Sequence, residues 1–311
     1  MAEQNCLVCN QDMLNSYTAI IAPWIRQLCN LPLEITTSFL ECKNCGFSSF
    51  SYRYVEQDMK SIYEHYRGPE YVKVRRSWEP WYTANEADYY KLNDSAVDNR
   101  NKFMRSCFER AKVDFFSIHT VLDFGGDLGQ FIPDEILGEK YLLDPSNVPL
   151  ESKNGIIRVA ALKQVPIKLD LIMNCHTLEH LSEFETVIDE IYSSIKKGGY
   201  FYLEVPLDGF KVRTFHGKRI YSKYLSLIQS RKSILIIANF VTGGFRQLFR
   251  RIPLMGVIQQ SEHINYFGQK SLEILLKRSG FQVLSVQGPD FGFQQGKIRL
   301  GRIGILAKKP N

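Results

Sequence analysis

Between Lys211 and Arg251 this 311-residue chain carries no aspartate and no glutamate, although ten lysines and arginines fall there. Those ten exceed the net charge of +6 of the whole chain, so the remainder is slightly acidic and one segment holds the positive charge. Such a segment favours a polyanion, a phosphate-bearing substrate or an anionic membrane surface; the alternative is a solvated basic face. Long apolar runs are missing as well. The longest, Ile234 to Val241, contains Asn239 and is too short to span a bilayer. The opening Met-Ala-Glu-Gln-Asn-Cys lacks the basic and apolar regions of a secretion signal, and none is expected. There is no internal repeat and no low-complexity tract. The seven cysteines are odd in number and cannot all pair as internal disulfides.

Four of the seven stand near the N-terminus as two C-x-x-C pairs, Cys6 with Cys9 and Cys42 with Cys45. Two such pairs offer four thiolates to one tetrahedral ion, the arrangement of a structural zinc site closed to chemistry. Gly46 after the second pair suits a knuckle, where the chain turns tightly and backbone amides face sulfur. Four buried, reduced thiols are the alternative. Cys29, Cys107 and Cys175 remain as free thiols, which fits a reducing cytoplasm.

Three regions follow. Residues 1–55 read as a zinc-binding domain and residues 56–115 as an aromatic-rich helical linker or lid. In the second region Tyr63, Tyr66 and Tyr71 form either a lid over an acceptor or a core stripe, and a helix is expected over Asn99–Lys112. Residues 116–311 alternate strand and helix, interrupted by the basic insert at 208–260. Strands are expected at Val121–Phe124, Tyr141–Asp144, Ile156–Val159, Leu169–Cys175, Tyr200–Val205, Phe281–Val286 and Ile303–Ala307. A helix over Ser182–Lys196 is expected to end in Lys196-Lys-Gly-Gly199, with cations in its last turn and glycines beyond. The class is therefore α/β: a Rossmann-like, doubly wound, mostly parallel sheet with a small N-terminal zinc-binding domain.

In such sheets ligands sit at the carboxyl ends of the strands. Three strand ends carry suitable residues: Asp123-Phe-Gly-Gly-Asp-Leu-Gly129, the acid Asp144, and Asn174-Cys-His176. The glycines let a ligand approach the backbone and the next helix pack closely, and an acid at position 144 can accept hydrogen bonds from both ribose hydroxyls. The loop is not the G-x-G-x-x-G of dinucleotide dehydrogenases. With Asp123 ahead of the glycines it resembles the first motif of class I S-adenosylmethionine-dependent methyltransferases. Tyr141-Leu-Leu-Asp-Pro-Ser146, Asp170 through His180 and Ile195 through Pro206 resemble the later motifs of that family, in order. Ser261-Glu-His-Ile-Asn-Tyr-Phe267 is similar to a late motif of a subgroup with an N-terminal cysteine zinc domain, which includes sugar C- and O-methyltransferases.

The resemblance implies S-adenosylmethionine as cofactor, held by Asp123, Gly125, Asp127, Gly129, Asp144, Asn174 and His176, and a structural zinc. It places His263, with Glu262 beside it, over the donor methyl group. A histidine suits removal of a proton from a sugar hydroxyl or a keto-sugar α-carbon, and a neighbouring carboxylate raises its basicity. A structural histidine in a turn is the alternative. His180 caps or lines the cleft as a third catalytic candidate; His176-Thr-Leu-Glu-His180 matches a metalloprotease pattern but straddles a strand end. Two departures from the family stand out. Asp127 replaces a loop glycine, where it either holds the ligand's ammonium group or crowds its methionine moiety, and no acid lies near Ala160-Ala161.

The function expected is methyl transfer from S-adenosylmethionine to a nucleotide- or lipid-linked sugar in surface-polysaccharide or natural-product assembly. The setting expected is cytoplasmic, with peripheral contact at the inner membrane face. An RNA methyltransferase, its zinc head and insert gripping phosphates, is the second reading, and a catalytically silent methyltransferase-like partner protein the third.

Overall fold

The computed structural model describes residues 5–11, 15–64, 66–82, 94–145, 155–212, 218–289, 292–294, 297–299 and 301–311. In chain order, β1 (Asn15–Ile21), α1 (Pro23–Leu28), β2 (Thr37–Glu41), β3 (Ser48–Phe50), α2 (Glu56–Tyr63) and α3 (Pro69–Trp78) come first. Next are α4 (Asp94–Arg110), β4 (Thr120–Phe124), β5 (Glu139–Leu143), β6 (Ile156–Val159), β7 (Leu169–Cys175), α5 (Phe184–Ser194) and β8 (Ile195–Leu207). The chain continues through β9 (Lys211–Val212), α6 (Lys218–Gln229), α7 (Lys232–Phe249), β10 (Arg251–Ile252), β11 (Gln259–Gln260) and β12 (Asn265–Tyr266). It closes with α8 (Gln269–Arg278), β13 (Gln282–Gln287), β14 (Gly292–Gln294), β15 (Lys297–Arg299) and β16 (Gly301–Lys308).

These elements form two units. One comprises Tyr90–Leu207, Gln269–Asp290 and Gly301–Asn311. Its seven-stranded sheet runs β13-β16-β8-β7-β4-β5-β6, with β4 to β8 parallel and β16 antiparallel to both its neighbours. This is the α/β, mostly parallel architecture expected from the alternation of strand and helix. The central strand β7, Leu-Asp-Leu-Ile-Met-Asn-Cys, is buried along its whole length, as a strand covered on both faces must be. Met104, Cys107 and Phe108 of α4 pack with Val121, Leu171, Met173 and Tyr202 in one core cluster.

Two local expectations fail here. The helix before β8 stops at Ser194, and Lys196-Lys-Gly-Gly199 is an irregularity within β8, not a helix cap. Pairing with β7 breaks between Leu169 and Leu171, Gly198 takes φ +76°, and its N–H donates to the Lys309 carbonyl at 2.9 Å. Lys196 instead forms an ion pair with Asp170, whose other oxygen accepts N–H bonds from His119 and Thr120. The backbone and side-chain partners offered by the strands on either side outweigh the local helix-stop signal. The glycine loop likewise does not lead into an α-helix. Residues 125–138 run as successive turns through Gly129, Pro133 and Gly138, where a side chain at 138 would strike the His119 carbonyl.

The other unit comprises Met1–Tyr89, Asp208–Gly268 and Phe291–Leu300. Its five-stranded sheet, β11-β1-β2-β3-β12, takes β1 to β3 from the N-terminal segment, β11 from the far end of the insert and β12 from just beyond it. Ile20 pairs with Gln259 and Ser49 with Asn265. Trp24, Ile25, Tyr54, Tyr71, Val74 and Tyr82 form a buried cluster, against which Tyr63 and Tyr66 pack partly buried. The Arg75 guanidinium lies 4.7 Å from the Trp24 ring centroid and 4.2 Å from that of Tyr82.

Candidate functional site

The cysteine pairs fold as two copies of one knuckle. In the first, the Asn10 N–H donates to the Cys6 carbonyl at 2.8 Å; in the second, the Gly46 N–H donates to the Cys42 carbonyl at 2.9 Å. Asn10 and Gly46 take φ +57° and +75°, so asparagine does in the first turn what glycine does in the second. The Sγ atoms of Cys6 and Cys45, and those of Cys9 and Cys42, lie 3.6 Å apart, and all four thiols lie within 4.8 Å of one another. A tetrahedral ion with about 2.3 Å metal–sulfur bonds needs edges of about 3.8 Å, so the thiols fit such an ion. Cys6, Cys42 and Cys45 are buried and Cys9 is half-buried.

At the carboxyl end of β4, Gly125, Asp127 and Gly129 all have positive φ, at +77°, +54° and +70°. A side chain on Gly125 would overlap Thr177, and one on Gly126 would overlap the Asp123 carboxylate. Asp127 keeps the left-handed conformation of a glycine, which aspartate tolerates better than most residues. Its N–H donates to Asp144 Oδ2 at 3.0 Å, so the acid closing β5 also holds the loop. Arg158 ties the same pair, its guanidinium donating to the carbonyls of Asp144 and Asp127 at 3.4 and 3.3 Å.

Asp123 is fully buried, and neither of its carboxylate oxygens has a hydrogen-bond partner. Burial raises its pKa to about 7, with Arg100 pulling the other way and Asp144 and Asp127 adding to the rise. A cationic ligand group beside it would supply the missing partner, and in this respect the residues fit a donor carrying an ammonium group.

At the neighbouring strand end, Asn174 is buried, its amide donating to the Phe124 carbonyl at 3.4 Å. His176 takes φ +55° and sets Nε2 3.0 Å from Glu204 Oε1, with Nδ1 3.7 Å from Glu179. His180 closes a short 3₁₀ turn, Leu178–His180, so the two histidines straddle the strand end and do not share a helix face. Glu204 had no place in the sequence reading. It is fully buried on β8 between Arg100 at 3.1 Å and Arg302 at 3.5 Å, and accepts the Tyr202 hydroxyl at 3.0 Å. Burial works to raise its pKa, but Arg100, His176 and Arg302 outweigh that and hold it at about 2.

In the other unit, His263 Nδ1 lies 2.5 Å from Asp208 Oδ2. Asp208 is buried; desolvation alone would raise its pKa, but the charge and hydrogen bond of His263, with Arg246, lower it below the usual carboxylate range. Glu262 turns elsewhere, to Arg75 at 2.6 Å and the Tyr71 hydroxyl at 2.8 Å. That pairing overcomes burial and brings Glu262 down to about 2. The acid bonded to His263 is thus Asp208, which lies fifty-five positions before it in the sequence. Its one local signal is an acid just beyond a buried strand, after Pro206-Leu207.

Residues 95–286 match a family model described as a methyltransferase domain, well over half of the chain. The chain belongs to that family and is a methyltransferase. No curated protein sequence matches it. Among solved structures it is similar to a SAM-dependent methyltransferase from Archaeoglobus fulgidus, at 17% identity and TM-score 0.43, covering 71% of this chain and 100% of that one. The N-methyltransferase NodS from Bradyrhizobium japonicum WM9 is similar at 12% identity and TM-score 0.40, covering 71% and 100%. Magnesium protoporphyrin IX methyltransferase from Synechocystis PCC 6803, solved with bound SAH, is similar at 15% and 0.36, covering 69% and 82%. At these identities the choice of acceptor rests on the residues of this chain.

Proposed function

We propose that the chain transfers a methyl group from S-adenosylmethionine to a hydroxyl or acidic carbon of a nucleotide- or lipid-linked sugar, with one structural zinc on Cys6, Cys9, Cys42 and Cys45. The observation that carries the acceptor chemistry is the Asp208–His263 pair. A sulfonium donor supplies an electrophilic methyl group, and the protein's task is then alignment and removal of the acceptor's proton. Asp208 accepts from Nδ1–H and fixes the tautomer, which directs the basic lone pair to Nε2. On this reading His263 takes the acceptor's proton, while Glu262 anchors the segment through Arg75 and Tyr71. Asp144, Asp123 and the turns at Gly125, Asp127 and Gly129 hold the donor; Asn174, His176 and His180 border it.

The test follows methyl label from S-adenosylmethionine into nucleotide diphosphate sugars and, in parallel, into RNA. Label is expected in the sugar. Label in RNA alone supports the second reading, for which the ten cations of residues 211–251 are the argument. Replacing Asp144 by alanine removes the ribose acceptor and frees the Asp127 N–H, and is expected to weaken donor binding by about 1.5–3 kcal/mol. Asp144→Asn, which keeps an acceptor oxygen, is expected to fall between the two. Equal calorimetric affinities for all three proteins would move the donor away from this loop.

The metal is checked separately. Purified protein is expected to carry one zinc per chain, and Cys42→Ser to lose it together with the folding of the two knuckles. Zinc-free wild-type protein, or unchanged zinc in the variant, excludes the site.

A further inference from the structure

The basic insert folds as two helices whose inner and outer faces differ sharply. The inner face of α7 is pinned: Leu235 and Thr242 are buried, Thr242 accepts the Val257 N–H at 3.0 Å, and Asn239 donates to Gln259 at 2.6 Å. The outer face carries Ile234, Ile237, Val241 and Leu248 at helical spacing, with Phe240 beside them. Ile237 is 64% exposed, Phe240 61% and Leu248 64%. On α6, Ile220 and Leu227 are exposed seven residues apart, with exposed Lys223 between them. A contiguous apolar stripe of this kind on a soluble surface marks an interaction face. Arg231 stands exposed at the start of α7 and Arg251 beyond its end, while the Lys232 ammonium lies 4.6 Å from the Trp78 ring centroid.

We infer that this face docks on an anionic membrane surface, α7 lying in the plane of the interface with its isoleucine stripe among the acyl chains and its cations on the lipid phosphates. No described helix is long and apolar enough to cross a membrane, so the contact is peripheral. Charge selects the occupant. Between Lys211 and Arg251 there is no acid, so a second copy docked on the same face would set cations against cations. The inference goes beyond the proposed acceptor. Vesicle binding is read without donor or acceptor, so its failure leaves the assignment of His263 untouched.

The experiment is flotation of the full chain with vesicles of phosphatidylcholine alone and of phosphatidylcholine mixed with phosphatidylglycerol. Wild type is expected to float with the mixed vesicles only and to be released by high salt. Ile237→Ser with Leu248→Ser is expected to lose at least about tenfold in binding. Arg231→Glu with Lys223→Glu is expected to lose more than about a hundredfold, since each reversal changes the charge by two and each charge near the surface is worth about 1 kcal/mol. All four positions are exposed, and unchanged thermal unfolding shows that the variants are folded. The proposal is overturned if wild type ignores anionic vesicles, or if the serine variant binds them as wild type does. It is also overturned if wild type sediments as a dimer that the serine variant dissociates, which assigns the face to self-association.

Discussion

His263→Ala is expected to lower methyl transfer by about 10²–10⁴-fold, the usual contribution of a positioned general base, with donor affinity unchanged. The expectation rests on the 2.5 Å bond from His263 Nδ1 to a buried carboxylate. A histidine kept only for packing has no need of a desolvated acid held ionised against its own burial. On the proposed mechanism Asp208 acts through His263, and its substitution should read as a fall in kcat with KM little changed. Asp208→Asn, which keeps an acceptor for Nδ1–H, is expected to retain more activity than Asp208→Ala. Added imidazole is expected to restore part of the rate in His263→Ala and none in Asp208→Ala. Near-normal turnover of His263→Ala would give the histidine a structural role. Arg246 is unsuitable for reversal in such experiments, because it stacks 4.9 Å from the Phe210 ring and its charge acts on Asp208.

The second large effect concerns stability. Glu204→Gln is expected to destabilise the seven-stranded unit by about 3–5 kcal/mol, the range for removing one partner of a buried ion pair. The cations cannot follow the lost charge into water. The Arg100 guanidinium is packed 4.2 Å from the Phe131 ring, and that of Arg302 4.2 Å from the Phe103 ring with a bond to the Asn99 carbonyl. The same charge sets a pH dependence. Glu204 titrates at about 2 when folded, against about 4.3 in an unfolded chain. Its contribution, about 3 kcal/mol, is therefore complete above roughly pH 5 and lost as pH falls through 2. Asp123 acts with the opposite sign. Its folded pKa of about 7 means that the buried carboxyl is uncharged in acid and destabilises increasingly from pH 4 to 7. Denaturant unfolding near pH 5 reads Glu204 with Asp123 still protonated. A Glu204→Gln midpoint equal to that of wild type there would show that the ion cluster contributes nothing net. Because His176 leans on the same carboxylate, weaker donor binding in this variant is also expected.

Much of the candidate site was readable where its parts are neighbours in the chain. A C-x-x-C pair makes its own knuckle, so spacing alone predicts the two turns, and the structure sets their sulfurs 3.6 Å apart. The glycine loop and Asp144 sit at the ends of adjacent parallel strands, β4 and β5, and strand ends are visible as apolar runs that stop. What failed was local reading against tertiary demand. Lys196-Lys-Gly-Gly199 has every mark of a helix stop, yet Asp170 and Lys309 draw it into the sheet. Glu262 stands next to His263 in the sequence, yet its carboxylate goes to Arg75.

Readable from the residues alone were the alternation of strand and helix, the four-thiol set, the glycine-rich loop at residues 125–129, and the concentration of positive charge in one segment. Each follows from residues within a few positions of one another, where backbone sterics and spacing leave little choice. Folding alone brought Asp208 to His263, gathered Arg100, Arg302 and His176 around Glu204, and paired Gln259 and Gln260 with β1. These pairings join residues far apart in sequence, in the last case by more than two hundred positions. Neither partner carries a local mark of the other. Burial made the choice, because a charge taken out of water must find an opposite charge, and a strand edge a second strand, wherever the folded chain has brought one near.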